Sequence, residues 1–172
     1  MITKPLLDDA PLYFHYYINL VSETDLTSAL QESEKTTVGL FHSMQETQAN
    51  LRYAPEKWSV KEVLQHVIDS ERIFAYRALR FSRRDATPLS GFDENHFVPN
   101  ANTHQRSLEN VLEEYCIVRK ASIVLYQYMN DEMLNFKAQA NGVENTARAT
   151  GWMIVGHNLH HLKVIKEKYL NQ

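Results

Sequence analysis

Four stretches of helical periodicity, few chain breakers and no strand-like alternation predict an all-α protein. The expected architecture is a four-helix bundle with one or two long crossover connections and a short extra N-terminal helix. Five Gly and five Pro are few for 172 residues, and most fall between the periodic segments. This length suits a single domain over 1–172, large enough to bury a core without disulfide staples.

Residues 1–10 are expected to be a loose arm. Pro11 to Leu20 then reads as a short helix with Pro at its start. Tyr13, Phe14, Tyr16 and Tyr17 on it either cover the body of the domain or form a subunit contact, since aromatics are enriched at interfaces. His15 among them reads as an ordinary packed or half-exposed histidine. Leu26, Leu30, Thr37, Leu40, Phe41 and Met44 give a second helix from Thr24 to about Met44, with Thr24 or Ser22 as cap. Pro55 marks the following linker. Ser59 with Glu62 forms a capping box, and Trp58 with Val63 occupies the positions of a hydrophobic staple. The helix they start should run from Val60 to about Phe81, with Val63, His66, Val67, Ser70, Phe74, Arg77 and Phe81 inward.

Residues 85–104 carry no period and are expected as a connection. So long a loop is more often functional than accidental, and this one holds Asp93, Glu94, His96 and His104 beside Phe92 and Phe97. It reads either as a lid over a site or as a plain surface crossover. Gln105 to about Asn130 is the third long helix, with Ser107 a possible cap and Cys116 acting as a small hydrophobe. Asn130 to Asn145 connects it onwards, with a turn at Asn141-Gly142. The last helix starts near Thr146 and ends about Tyr169. Gly151 and Gly156 within it imply close approach of a neighbouring helix or of a metal site.

Hydrophobic residues at 44% and charged residues at 23% are ordinary for a soluble protein and argue against disorder. A net charge of −3 exerts no pull towards nucleic acid or anionic membrane. No run of about 18 apolar residues is present, and Met1 to Pro5 does not open a signal peptide. Cys116 is the only cysteine, so a thiolate zinc knuckle is excluded and a reducing cytoplasm fits.

The chemistry is expected in Gly156-His157-Asn158-Leu159-His160-His161. At about 100° per residue, His157 and His161 lie about 40° apart and one turn apart. Met153, Ile154, Val164 and Ile165 share their face. Two imidazoles at i, i+4 can ligate one metal ion, given a third ligand from elsewhere. His66 is the best candidate, because it points inwards two turns from a firmly capped helix start. The alternative is three satisfied core histidines.

Trp58-Ser59-x-x-Glu62-x-x-x-His66-x-x-Asp69-x-Glu71, followed by Gly156-His157-x-x-His160-His161, resembles the DinB/YfiT-like superfamily. The Tyr13 to Leu20 segment and the Gly91-Phe-Asp-Glu-Asn95 loop are also similar to its members. The resemblance implies a four-helix bundle, commonly a homodimer, whose three histidines bind one divalent metal ion such as zinc or nickel. By position the ligands would be His66, His157 and His161. His160 would not be one, in agreement with its place about 100° round the helix from His161. Asn158 stands where related proteins often have an acidic residue, which removes an acid–base group from that position. Members with assigned activity include transferases and isomerases that use low-molecular-weight thiols.

Three neutral imidazoles leave coordination positions open, as catalytic sites do. A Lewis-acidic ion there lowers the pKa of a bound thiol or water. The expected function is therefore a divalent-metal enzyme of the thiol S-transferase type acting on a small molecule. A non-catalytic metal-binding or dimerisation module in a stress response and a metal-dependent hydrolase are the alternatives. Asp69, Asp93 and Glu94 are candidates to orient the imidazoles or to act as acid and base, and the sequence does not rank them.

Overall fold

The computed structural model describes residues 1–170. A 3-10 turn (Leu7–Asp9) precedes α1 (Leu12–Leu20), α2 (Leu26–His42), the single-turn α3 (Glu46–Ala49) and α4 (Val60–Ser82). There follow α5 (Glu94–Asn100), a 3-10 turn (Thr103–Gln105), α6 (Leu108–Gln127), the short α7 (Asp131–Asn135), strands β1 (Ala138–Ala140) and β2 (Val143–Asn145), and α8 (Ala147–Val164). The last turn of α8 widens to π geometry over Ile165–Leu170.

The four long helices form a square. α4 packs on α6 and α8, α2 packs on the same two, and α1 lies along α8. Helices α2 and α4, consecutive in the chain, therefore sit on one diagonal, and α6 and α8 on the other. The segments 43–59 and 128–146 cross those diagonals; the second contains the expected 130–145 connection, whereas 43–59 was expected only as a linker at Pro55. Each long helix starts on a side-chain cap: Asp25, Ser59, Ser107 and Thr146 accept from the backbone of the first turn. The Ser59–Glu62 box is complete, with Glu62 accepting from Ser59 N at 2.7 Å. For α2 the cap is Asp25 rather than Thr24 or Ser22.

Asp25 also overturns the expectation of a loose arm. Its carboxylate accepts from Ile2 N at 2.7 Å, and the Ile2 carbonyl accepts from Leu26 N at 2.9 Å. Ile2 is buried, and the Thr3 carbonyl accepts from Trp152 Nε1 at 2.9 Å. The segment is docked by polar contacts that leave no period in the sequence. The 85–104 connection likewise holds more structure than expected. Asp93 caps α5 by accepting from Asn95 N and His96 N. Seven residues with Pro99 among them are too short to show a helical period. In the other connection, Asn141 (φ 53) and Gly142 (φ 77) form the tip of a two-stranded hairpin, the positive-φ pair that joins twisted strands tightly. Leu89 pairs alongside β1, so the two connections brace each other.

The core is two apolar clusters with a polar layer between them. One gathers Phe14, Leu26, Leu30, Phe81, Trp152 and Met153; the other gathers Phe41, Val63, Leu64, Leu112, Leu162 and Ile165. In the layer, Arg119 (0% exposed) forms a bidentate pair with Glu71 (2%), 2.9 and 2.8 Å, and donates to the Leu30 carbonyl at 3.0 Å and to Ser33 Oγ. Tyr115 donates to Thr37 at 3.2 Å, and Asn158 Nδ2 donates to the same hydroxyl at 2.9 Å. All four long helices contribute.

Removing one partner of a buried, fully bonded ion pair leaves the other charge without compensation. Arg119→Met is expected to lower unfolding stability by about 3–5 kcal/mol in urea titration, and Arg119→Met/Glu71→Leu to recover most of that loss. A single variant within about 1 kcal/mol of wild type would show that the layer does not hold the bundle together.

Candidate metal centre

His66 stands two turns into α4, and the start of that helix is fixed by its capping box. Trp58 and Val63 belong to the same apolar packing, as the staple requires, and the Trp58 ring lies 5.0 Å from the His66 ring. Tyr169, in the π turn, donates to the Trp58 carbonyl at 2.7 Å, so the end of α8 is tied to the start of α4. Across this junction α8 presents His157 and His161. A Cβ at Gly156 would stand 2.1 Å from the Tyr17 carbonyl oxygen. Only glycine lets α1 pack this tightly on α8 and bring Tyr17 to the site. At Gly151 the space of a side chain is filled by the Leu26 and Tyr126 side chains.

The expected triad comes together. His157 Nε2 lies 3.1 Å from His66 Nε2 and 3.1 Å from His161 Nε2, and the three ring centroids are 4.5–4.9 Å apart. Nitrogen ligands at 2.0–2.1 Å from a tetrahedral ion stand about 3.3–3.4 Å apart. The cluster therefore fits a single ion with a small outward adjustment of the rings. Among the described residues it is the one group of three ligating side chains with this convergence.

Electrostatics agree with the geometry. Burial pushes His66 down to about 4 and His161 to about 2, and His157, the most enclosed, well below its ordinary value. The neighbouring histidines lower His157 and His161 further, while Glu94 partly offsets the shift at His66. All three rings are neutral at pH 7, the state in which imidazole ligates metal. His160 is turned aside as expected: its Nδ1 meets Tyr16 OH at 3.3 Å. Asn158 points into the polar layer towards Thr37 and away from the cluster.

The imidazoles open into a cavity of about 390 Å³. Trp58, Phe74 and Phe92 form its apolar walls, and Tyr13, Tyr17, Arg77, Glu94 and Asn141 its polar ones. Of the three acidic candidates, only Glu94 lines this cavity. Asp93 caps α5 and does not line this cavity. Asp69 accepts from Gln65 at 3.0 Å and lines a different depression, on the side of Arg72 and Arg106. Tyr13, Tyr17 and Arg77 were not singled out from the sequence, although signals existed. The tyrosines stand at i, i+4 on α1, and Arg77 is a charge on the inner face of α4.

The depressed imidazoles make the metal-free protein sensitive to acid. Below about 6.5 the unfolded chain takes up protons that the folded rings refuse, so folding stability falls as pH falls from 6.5 towards 4. Above 6.5 that contribution is fully present. Chelator-treated protein followed by urea unfolding should lose stability over this window, and His157→Phe should flatten the dependence. An unchanged slope in the variant would mean that the rings are protonated in the fold.

The sequence profile of the DinB superfamily matches residues 29–165. No curated protein matches the chain. Among solved structures, the chain is similar to YfiT from Bacillus subtilis, described as a probable metal-dependent hydrolase with an unusual four-helix bundle topology. The two are 18% identical and superpose with a TM-score of 0.69, covering 98% of this chain and 92% of that one. With the profile spanning most of its length and the bundle in agreement, the chain belongs to the DinB superfamily.

Proposed function

We propose that the protein is a metal-dependent enzyme acting on a small molecule as a hydrolase, with His66, His157 and His161 as metal ligands and Glu94 as proton acceptor. The observation that carries this proposal is the opening of three uncharged imidazoles into a cavity that also presents a carboxylate. A structural metal site would close round its ion with four ligands, whereas here one side faces the cavity. A divalent ion suited to imidazole, such as zinc or nickel, supplies Lewis acidity and lowers the pKa of water or thiol in contact with it.

The chain's own groups do the rest. The Glu94 carboxylate lines the cavity with the imidazoles and acts electrostatically on both His66 and Tyr17. There it can take a proton from a nucleophile and return it to a leaving group. Burial raises the Tyr13 and Tyr17 phenols, so both stay protonated and serve as hydrogen-bond donors. The aromatic walls exclude water from the remainder of the cavity. The description of YfiT favours water as nucleophile. Thiol S-transfer, the expectation from sequence, is the second reading, because the cavity is large enough to admit a low-molecular-weight thiol beside a small substrate.

Protein prepared without chelators should carry one divalent ion per chain by elemental analysis, and His157→Ala should lose it while keeping its helical circular dichroism. Wild type should hydrolyse members of a panel of small esters and amides with no thiol added. Glu94→Gln should lower kcat by about a hundredfold or more with metal content unchanged. Turnover that needs an added thiol would assign transfer instead, and bound metal with neither activity would assign a non-catalytic module. Folded wild type without metal would refute the proposal.

A further inference from the structure

Four cationic side chains of the described residues are strongly buried: Lys61, Arg77, Arg119 and Arg148. Three of them have a carboxylate, namely Glu46, Glu71 and Asp131 respectively. Arg77 has none among the described residues. It is 4% exposed and donates from Nη2 to the Ser90 carbonyl at 3.0 Å, which leaves most of its donors uncommitted. Its guanidinium carbon lies 5.8 Å from the Phe74 ring and 6.0 Å from the Phe92 ring, which holds the group in place without neutralising it. None of its nitrogens is sealed in without a partner, so the uncommitted donors face the cavity that Arg77 lines.

The place of Arg77 says which ligand. It stands three helical turns along α4 from His66 and lines the same cavity. Phe74 separates the two ends, with its ring 5.9 Å from the His157 ring on one side and Arg77 on the other. The cavity thus holds the imidazoles at one end and, beyond Phe74, a guanidinium with no carboxylate partner among the described residues.

We propose that Arg77 anchors an oxyanion, a carboxylate or a phosphate, at one end of a small substrate whose reacting centre lies at the imidazole cluster. The word substrate rests on the enzyme proposed above; the anion site itself does not. A guanidinium can meet either oxyanion with two parallel hydrogen bonds, and a neutral isostere forfeits the charge assistance.

The test uses chelator-treated full-length protein at pH 7.5, so that no metal competes for the probe, with benzoate, phenyl phosphate and neutral benzamide as ligands. Binding is followed by calorimetry and by the Arg77 Nε–H resonance in nitrogen-15 spectra. Benzoate or phenyl phosphate should bind wild type saturably and shift that resonance, and the stronger of the two identifies the oxyanion. Benzamide should bind about tenfold or more weakly. Arg77→Met should lose a similar factor, and Arg77→Lys should recover part of it. Equal binding of benzamide, an unmoved Arg77 resonance, or unchanged affinity in a folded Arg77→Met would overturn the proposal. The wild-type comparison decides the matter even if Arg77→Met does not fold. Zinc content of reloaded wild type, measured separately, reports on the metal proposal alone.

Discussion

The Arg119–Glu71 pair is the constraint on which the arrangement of the bundle depends. Apolar packing is non-directional, and two helices of similar surface can exchange one register for another at small cost. A guanidinium that must meet a carboxylate on α4 and a carbonyl on α2 admits no such slippage. Thr37 extends the demand by accepting from Tyr115 on α6 and Asn158 on α8. Once each long helix carries one member of a satisfied polar layer, the height of every residue above and below that layer is set. The metal centre uses that height: His66 and His157 meet because α4 and α8 cannot slide.

From that frame the site divides into a rigid part and a borrowed part. The imidazoles stand on long helices whose ends are tied by the Ser59–Glu62 box and by Tyr169 on Trp58, as a site that must hold its geometry requires. Apart from Phe74 and Arg77 of α4, the groups that would meet a substrate come from elsewhere. Glu94 and Phe92 belong to the connection after α4, Asn141 to the hairpin tip, and Tyr13 and Tyr17 to the N-terminal helix. Loops supported by a fixed scaffold are where chemistry diverges among proteins of one fold.

This division also explains what could be read in advance. The long helices, the Ser59–Glu62 box, the Asn141-Gly142 turn and the His157–His161 pair all leave local marks, because period, capping and i, i+4 spacing are properties of short stretches. His66 was legible for the same reason, two turns from a marked helix start. The docked arm, α5 and the roles of Asp69 and Asp93 were not. Each depends on a partner distant in sequence or on a helix too short to show a period. Arg77 was visible as a charge on an inward face, but the absence of a carboxylate beside it is a property of three dimensions alone.

The 3.1 Å spacing of the Nε2 atoms bears on where the ring hydrogens sit. Each Nε2 carries either one hydrogen or one lone pair, and His157 Nε2 is the atom that both neighbours meet at 3.1 Å. A cation arriving at neutral pH has no charged ring to discharge. A ring that carries its hydrogen on Nε2 would move it to Nδ1 to offer that lone pair, a change of tautomer that conserves protons. The atoms through which the three rings meet one another are thus the same atoms that they would offer to a metal ion.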